Sequence, residues 1–215
     1  MRRLPVYILI DTSTSMRGEP IEAVELGLKA LIDSLNGDPY ALETVCLSII
    51  TYNSLAEQIL PLTEVYKIRI PSMIAKGRSA LGEALNLLCK KVNSEVRKTT
   101  LEVKGDWKPL LFILSDGGYS GPIAKPLSEF KKLKFGLVVA CAAGSKAKVD
   151  VLKKITQNVI QISSTDTVNI KSYFKWVSSS ISTTSTRIEN TGEFDFEIDE
   201  LPPLPKEIIL HIDNL

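Results

Sequence analysis

Three stretches of this chain, residues 6–10, 110–114 and 135–141, are apolar almost without interruption. A strand with one wet face alternates apolar and polar side chains, so an unbroken apolar run needs cover on both faces. The segments between them repeat with a helical period. Residues 19–36 place Ile21, Val24, Leu28, Leu31, Ile32 and Leu35 on one stripe, and Gly37-Asp38-Pro39 stops the helix. Residues 81–96 do the same with Leu81, Leu85, Leu88 and Val92. Further helices are predicted over 123–133, 146–157 and 167–182, and further strands over 44–52 and 159–162. Residues 56–62 follow the strand at 44–52 too closely for a crossover, which predicts a hairpin and an antiparallel edge. The expectation is an α/β fold: a doubly wound, mostly parallel six-stranded sheet with one antiparallel edge strand and helices on both faces.

At 215 residues the chain suits one domain with an appendage. Residues 1–187 form the predicted domain and 188–215 an acidic C-terminal extension. The extension holds eight acidic residues and one basic residue, net −7; the body holds 25 basic and 17 acidic, net +8. The basic excess is spread over many helix faces rather than gathered with aromatics, so nothing points to nucleic acid. No apolar run reaches the roughly 20 residues of a membrane helix. Asp11 interrupts the first apolar run too early for a secretory signal, and a cytoplasmic protein is expected. Cys46, Cys89 and Cys141 are widely spaced in apolar surroundings, which predicts buried free thiols. His211 is the sole histidine, so no histidine-based metal site can form within the chain; it is expected on a solvated tail. Residues 178–186 are nearly all Ser and Thr and are expected to fray the last helix into a linker. Leu201-Pro202-Pro203-Leu204-Pro205 is stiff and extended, and residues 207–212 are able to add a strand.

The chemistry sits at strand ends. The first apolar run leads into Asp11, followed by Ser13 and Ser15; the run at 110–114 leads through Ser115 to Asp116. In doubly wound sheets ligands bind beyond the carboxyl ends of strands, near the switch in strand order. Two carboxylates with interleaved hydroxyls there are suited to a hard cation with oxygen ligands.

Asp11-x-Ser13-x-Ser15, the segment Gly77-Arg78-Ser79-Ala80-Leu81 and the segment Leu114-Ser115-Asp116-Gly117-Gly118 resemble, in order, the three elements of the metal-ion-dependent adhesion site (MIDAS) of von Willebrand factor A (VWA) domains. Residues 1–7, 17–24, 38–44, 104–110 and 136–144 resemble the TerY-type members found in tellurium-resistance systems. The resemblance implies Asp11, Ser13, Ser15, Ser79 and Asp116 as the metal set, with Ser79 where the family usually has Thr. It implies Mg²⁺ (or Mn²⁺), with Ser13 and Ser15 as direct ligands and both aspartates acting largely through water. An open position would accept an acidic side chain from a protein partner. The implied role is non-enzymatic binding in tellurite resistance and stress response, with other tellurium-resistance proteins, a protein kinase or a PP2C-like phosphatase as partners. Thr14, Arg78, Gly117, Gly118 and Tyr119 are expected on the ligand rim, where this chain departs from the family's usual loop.

Two other readings follow from the residues. A Mg²⁺-dependent phosphatase or phosphotransferase could use Asp11 as nucleophile, but haloacid-dehalogenase-like enzymes need an acid where this chain has Ser13, and no phosphate-binding glycine loop is present. The tail could also dock on its own or a neighbouring molecule's metal site through Glu193, Asp195, Glu197, Asp199 or Glu200.

Overall fold

The computed structural model describes residues 2–191 and 198–211. The three apolar runs become central strands, β1 (Leu4–Asp11), β4 (Leu110–Ser115) and β5 (Leu137–Ala143). With β2 (Val45–Tyr52), β3 (Ala56–Glu64), β6 (Val159–Ile162) and β7 (Ile208–His211) they form one seven-stranded sheet, ordered β3-β2-β1-β4-β5-β6-β7. All pairings from β2 through β6 are parallel; β3 and β7 are antiparallel edges.

The doubly wound, mostly parallel sheet is as expected, with one strand more than the six foreseen. The extra strand comes from the tail: Ile208 pairs with Ile162 and His211 with Val159. It covers the hydrogen-bonding edge that β6 would otherwise leave open. His211 is therefore half-buried on a strand, its Nε2 2.7 Å from Gln161 Oε1, and not on a solvated tail.

Strand parity sorts the core into two layers. Val6, Ile8 and Ile10 face α1 (Glu19–Asn36) and α6 (Thr167–Thr191); Tyr7 and Leu9 face α3 (Leu81–Glu95). Helix α2 (Pro39–Thr44) is capped by Asp38, whose carboxylate accepts from Tyr40 N and Ala41 N. Helices α4 (Ala124–Phe130) and α5 (Val149–Lys153) are shorter than their periodicity suggested. Gly27 lets α1 and α6 approach closely: a Cβ there would lie 2.3 Å from the Phe174 ring.

The Ser/Thr run does not fray. Residues 178–186 lie inside α6, because each buried hydroxyl finds an acceptor that keeps the helix intact. Ser180 Oγ donates to Trp176 O and Thr184 Oγ1 to Ser180 O, each at 2.8 Å, and Ser185 Oγ meets Thr44 Oγ1 at 2.7 Å. Their small size seats α6 against α2.

The tail crosses this helix. Leu201 is buried, and Trp176 Nε1 donates to Pro202 O at 2.9 Å. Glu200 pairs with Arg187 at 2.9 Å. Arg187 lies about 30 Å along α6 from its first residue, at 1.5 Å per residue, so Glu200 is far from the strand ends that carry Asp11 and Asp116. Glu193, Asp195 and Glu197 lie outside the described residues. Cys46, Cys89 and Cys141 are buried and free; burial pushes the Cys46 thiol up to about 11. Among the described residues no helix is long and apolar enough to cross a membrane.

Candidate metal centre

Strand order switches beside β1. The chain fills positions to one side with β2 and β3, then returns to lay β4, β5 and β6 on the other. The carboxyl ends of β1 and β4 flank that switch, and Asp11 and Asp116 sit there.

Asp11 is fully buried. Its Oδ1 accepts from Ser13 N at 2.8 Å; its Oδ2 accepts from Ser79 Oγ at 2.8 Å and Ser115 Oγ at 3.2 Å. Burial raises its pKa; hydrogen bonds from Ser13 and Ser79 pull it back, and nearby Asp116 pushes it up again. Ser13 Oγ and Ser15 Oγ lie 3.0 Å apart on the turn that follows β1. Asp116 is half-exposed, with Gly118 N donating to its Oδ1 at 2.7 Å. The structure thus brings Asp11, Ser13, Ser15, Ser79 and Asp116 into one crater.

Four loops are tied together to hold it. Thr14 N and Thr14 Oγ1 both donate to Gly77 O, at 3.0 and 2.8 Å. Lys76 N donates to Thr12 O, Ala80 N to Asn53 O, and Ser120 N to Ser79 O at 2.7 Å. Gly77 takes φ +71°, which turns Ser79 inward; a Cβ at Gly77 would strike Ser54 Oγ at 2.3 Å.

The rim residues divide. Thr14, Arg78 and Tyr119 are exposed and Gly118 is half-exposed. Gly117 is buried beneath the loop before α5, where it has no surface to offer a ligand; its φ is +72° and a Cβ would meet Lys148 O at 2.4 Å. Arg78 faces a separate cleft shared with Glu83 and Ser120.

Two residues of the crater escaped sequence reasoning. Ser115 is fully buried and bridges Asp11 Oδ2 to Gly117 N, from which it accepts at 3.0 Å. The signal was its parity: it follows Leu111 and Ile113 on one side of β4. Tyr52 pairs with Asp11 in the β1–β2 register, and its hydroxyl is buried beside the crater. Burial, then the charge of Asp11, holds its pKa well above the usual tyrosine range. Only the register reveals it.

Among the described residues no three His, Cys, Asp or Glu side chains cluster to hold a metal. The donor set is instead two carboxylates and neutral hydroxyls, which suits a hard cation. Ser13 Oγ and Ser15 Oγ share a hydrogen bond at 3.0 Å, which keeps both hydroxyl oxygens together at the crater.

Comparison with known proteins agrees with the fold. The profile of the von Willebrand factor type A domain matches residues 6–176. No curated protein matches the chain in sequence. Among solved structures, a von Willebrand factor type A protein from Catenulispora acidiphila is 16% identical over 85% of this chain and 43% of its own, with a TM-score of 0.63. The pilus adhesin SpaC from Lactobacillus rhamnosus GG in its open conformation is 13% identical over 85% of this chain and 30% of its own, at 0.64. Proximal thread matrix protein 1 from the mussel byssus, with a zinc-occupied MIDAS motif, is 13% identical over 83% of this chain and 48% of its own, at 0.57. The chain spans less than half the length of each of these.

Proposed function

The chain belongs to the von Willebrand factor type A domain family, and from that membership we propose that it is a metal-dependent protein-binding module without catalytic activity. In this reading Asp11, Ser13, Ser15, Ser79 and Asp116 hold Mg²⁺ (or Mn²⁺), Ser13 and Ser15 directly and the aspartates largely through water. The bound ion attracts a carboxylate from a partner protein into its open position. The observation that carries the reading is the hydrogen-bonded pair of Ser13 and Ser15 hydroxyls beside a buried Asp11 that accepts hydrogen bonds on both oxygens. The zinc-occupied MIDAS motif of the mussel protein supports a divalent ion; a donor set of oxygens alone favours Mg²⁺ or Mn²⁺ here.

The same geometry weighs against the phosphatase alternative. A nucleophilic carboxylate needs a free oxygen facing substrate, whereas Asp11 is buried and accepts on both oxygens. Its role is to hold Ser13, Ser79 and Ser115 and to supply negative charge beneath the ion. Asp116, half-exposed at the crater lip, adds the second charge. The site residues all lie within residues 1–187, while the expected boundary at 187 falls inside α6 and β7 of the tail completes the same sheet. The likeness to TerY-type members puts this module, on our reading, in the cytoplasm, in tellurite resistance and stress response, with other tellurium-resistance proteins, a protein kinase or a PP2C-like phosphatase as partners.

Immobilised protein offered the purified kinase and phosphatase in Mg²⁺ or EDTA provides the test. Retention in Mg²⁺, lost in EDTA and in Asp11→Ala and Asp116→Ala, is the expected result. Equal recovery under every condition refutes a metal-bridged contact.

A further inference from the structure

The crater opens on one side into a cleft of about 480 Å³, within the range of small-ligand sites. Ser15, Asp116 and Gly118 form its near wall, and Ser145, Lys146 and Lys148 its flank. Ser163, Ser164 and Thr165, just beyond β6, close the far end.

The flank is braced against the metal residues. Lys148 N donates to Asp116 O at 2.9 Å, and Gly117 packs on the Lys148 backbone too tightly for any side chain. Gly144, at φ +98°, turns the chain out of β5; Gln161 Nε2 and Ala147 N both donate to its carbonyl. The loop therefore holds Lys146 and Lys148 at a set place beside the crater. Both are exposed, and neither ammonium has an ion pair among the described residues. At the far end Asp166 is already engaged by Ser164 Oγ, Asn169 N and Asn169 Nδ2.

Charge separates this cleft from two others on the molecule. Its lining carries Lys146 and Lys148 against Asp116, net +1 before any metal is counted. The cleft beside Arg78 also carries Glu83 and is neutral. The groove along α1 carries Glu25 and Asp33 against Lys29, net −1. A single carboxylate on the ion would use neither lysine.

We propose that this cleft takes a second acidic side chain of the same partner segment: the ligand is a peptide with two carboxylates a few residues apart, one on the ion and one on Lys146 and Lys148. This rests on the metal-dependent reading above. The two lysines add affinity and reject segments with a lone acid, since charge complementarity at a rim contributes more to selectivity than to raw binding.

A random peptide library selected on the full chain, in Mg²⁺ and in EDTA, tests it. Peptides recovered only in Mg²⁺ should carry paired acids at short spacing. Replacing the second acid by Ala, or using K146A/K148A, should each weaken such a peptide about tenfold, the order expected for two exposed ion pairs. Both changes together should cost little more than either alone, because they remove the same interaction. Lys146→Arg/Lys148→Arg should retain binding. Mg²⁺-dependent peptides with one acid, or affinities indifferent to K146A/K148A, overturn the second-acid proposal and leave the metal bridge standing. Absence of any Mg²⁺-dependent peptide overturns both.

Discussion

An Asp11→Asn substitution keeps the shape of the side chain and removes its charge. Asn Oδ1 can still accept from Ser13 N, and the Ser79 and Ser115 hydroxyls can rotate to accept from the amide, so no bond in the buried network need be lost. What disappears is an ionised group held in a fully buried place, which its raised pKa marks as unfavourable without a cation. Metal-free D11N should therefore be more stable than the parent by about 0.5–2 kcal/mol, the usual gain when a functional group is relieved of its strain. Magnesium reverses the order. At a hundred times its dissociation constant a ligand stabilises by about 2.7 kcal/mol, or about 5–11 °C in Tm for a chain of this size. D11N should gain none of it. Thermal melts of both proteins in EDTA and in Mg²⁺ should cross, D11N higher without metal and the parent higher with it. If D11N melts lower in EDTA, the buried charge is no cost to the metal-free fold and this reasoning fails; an equal rise for both proteins in Mg²⁺ refutes the site outright.

Three other outcomes are expected. Ser115→Ala removes the hydroxyl that orients Asp11 Oδ2 and serves Gly117 N, and should weaken Mg²⁺ binding about tenfold in calorimetry. Gly117→Ala forces a Cβ to 2.4 Å from Lys148 O at φ +72°, and should cost about 2–4 kcal/mol in urea unfolding. Asp166 caps α6, and hydrogen bonds from Asn169 N first, then Ser164, lower its pKa to about 2. Asp166→Ala should cost about 1 kcal/mol at neutral pH. Because the folded pKa is depressed, that contribution is present above the ordinary value of 3.8 and fades as pH falls through about 2. Parent and variant stabilities, measured by urea unfolding across that window, should converge.

Asp11, Ser13, Ser15 and Asp116 were legible because a buried strand must stop somewhere, and a carboxylate followed by alternating hydroxyls is poor material for its continuation. Ser79 was legible only through likeness to other sequences: nothing local distinguishes a serine before a helix from an ordinary turn former. Ser115 was half-legible by strand parity. Tyr52 was not, since sequence does not say which residue of one strand lies opposite Asp11 of another. The Ser/Thr run misled for a related reason: a hydroxyl that competes with a helix in isolation supports it when a backbone carbonyl and a packed neighbour satisfy it.

The chain's apolar periods alone determined the layered sheet, its two helix faces and the acidic ends of β1 and β4, because burial on both sides is a demand each strand makes locally. The tertiary structure decided what distant segments do to each other: the tail strand on β6, Glu200 turned to Arg187, and the cleft that sets Lys146 and Lys148 beside Asp116. Those pairings depend on distances between residues far apart in the chain, and only the folded packing fixes such distances.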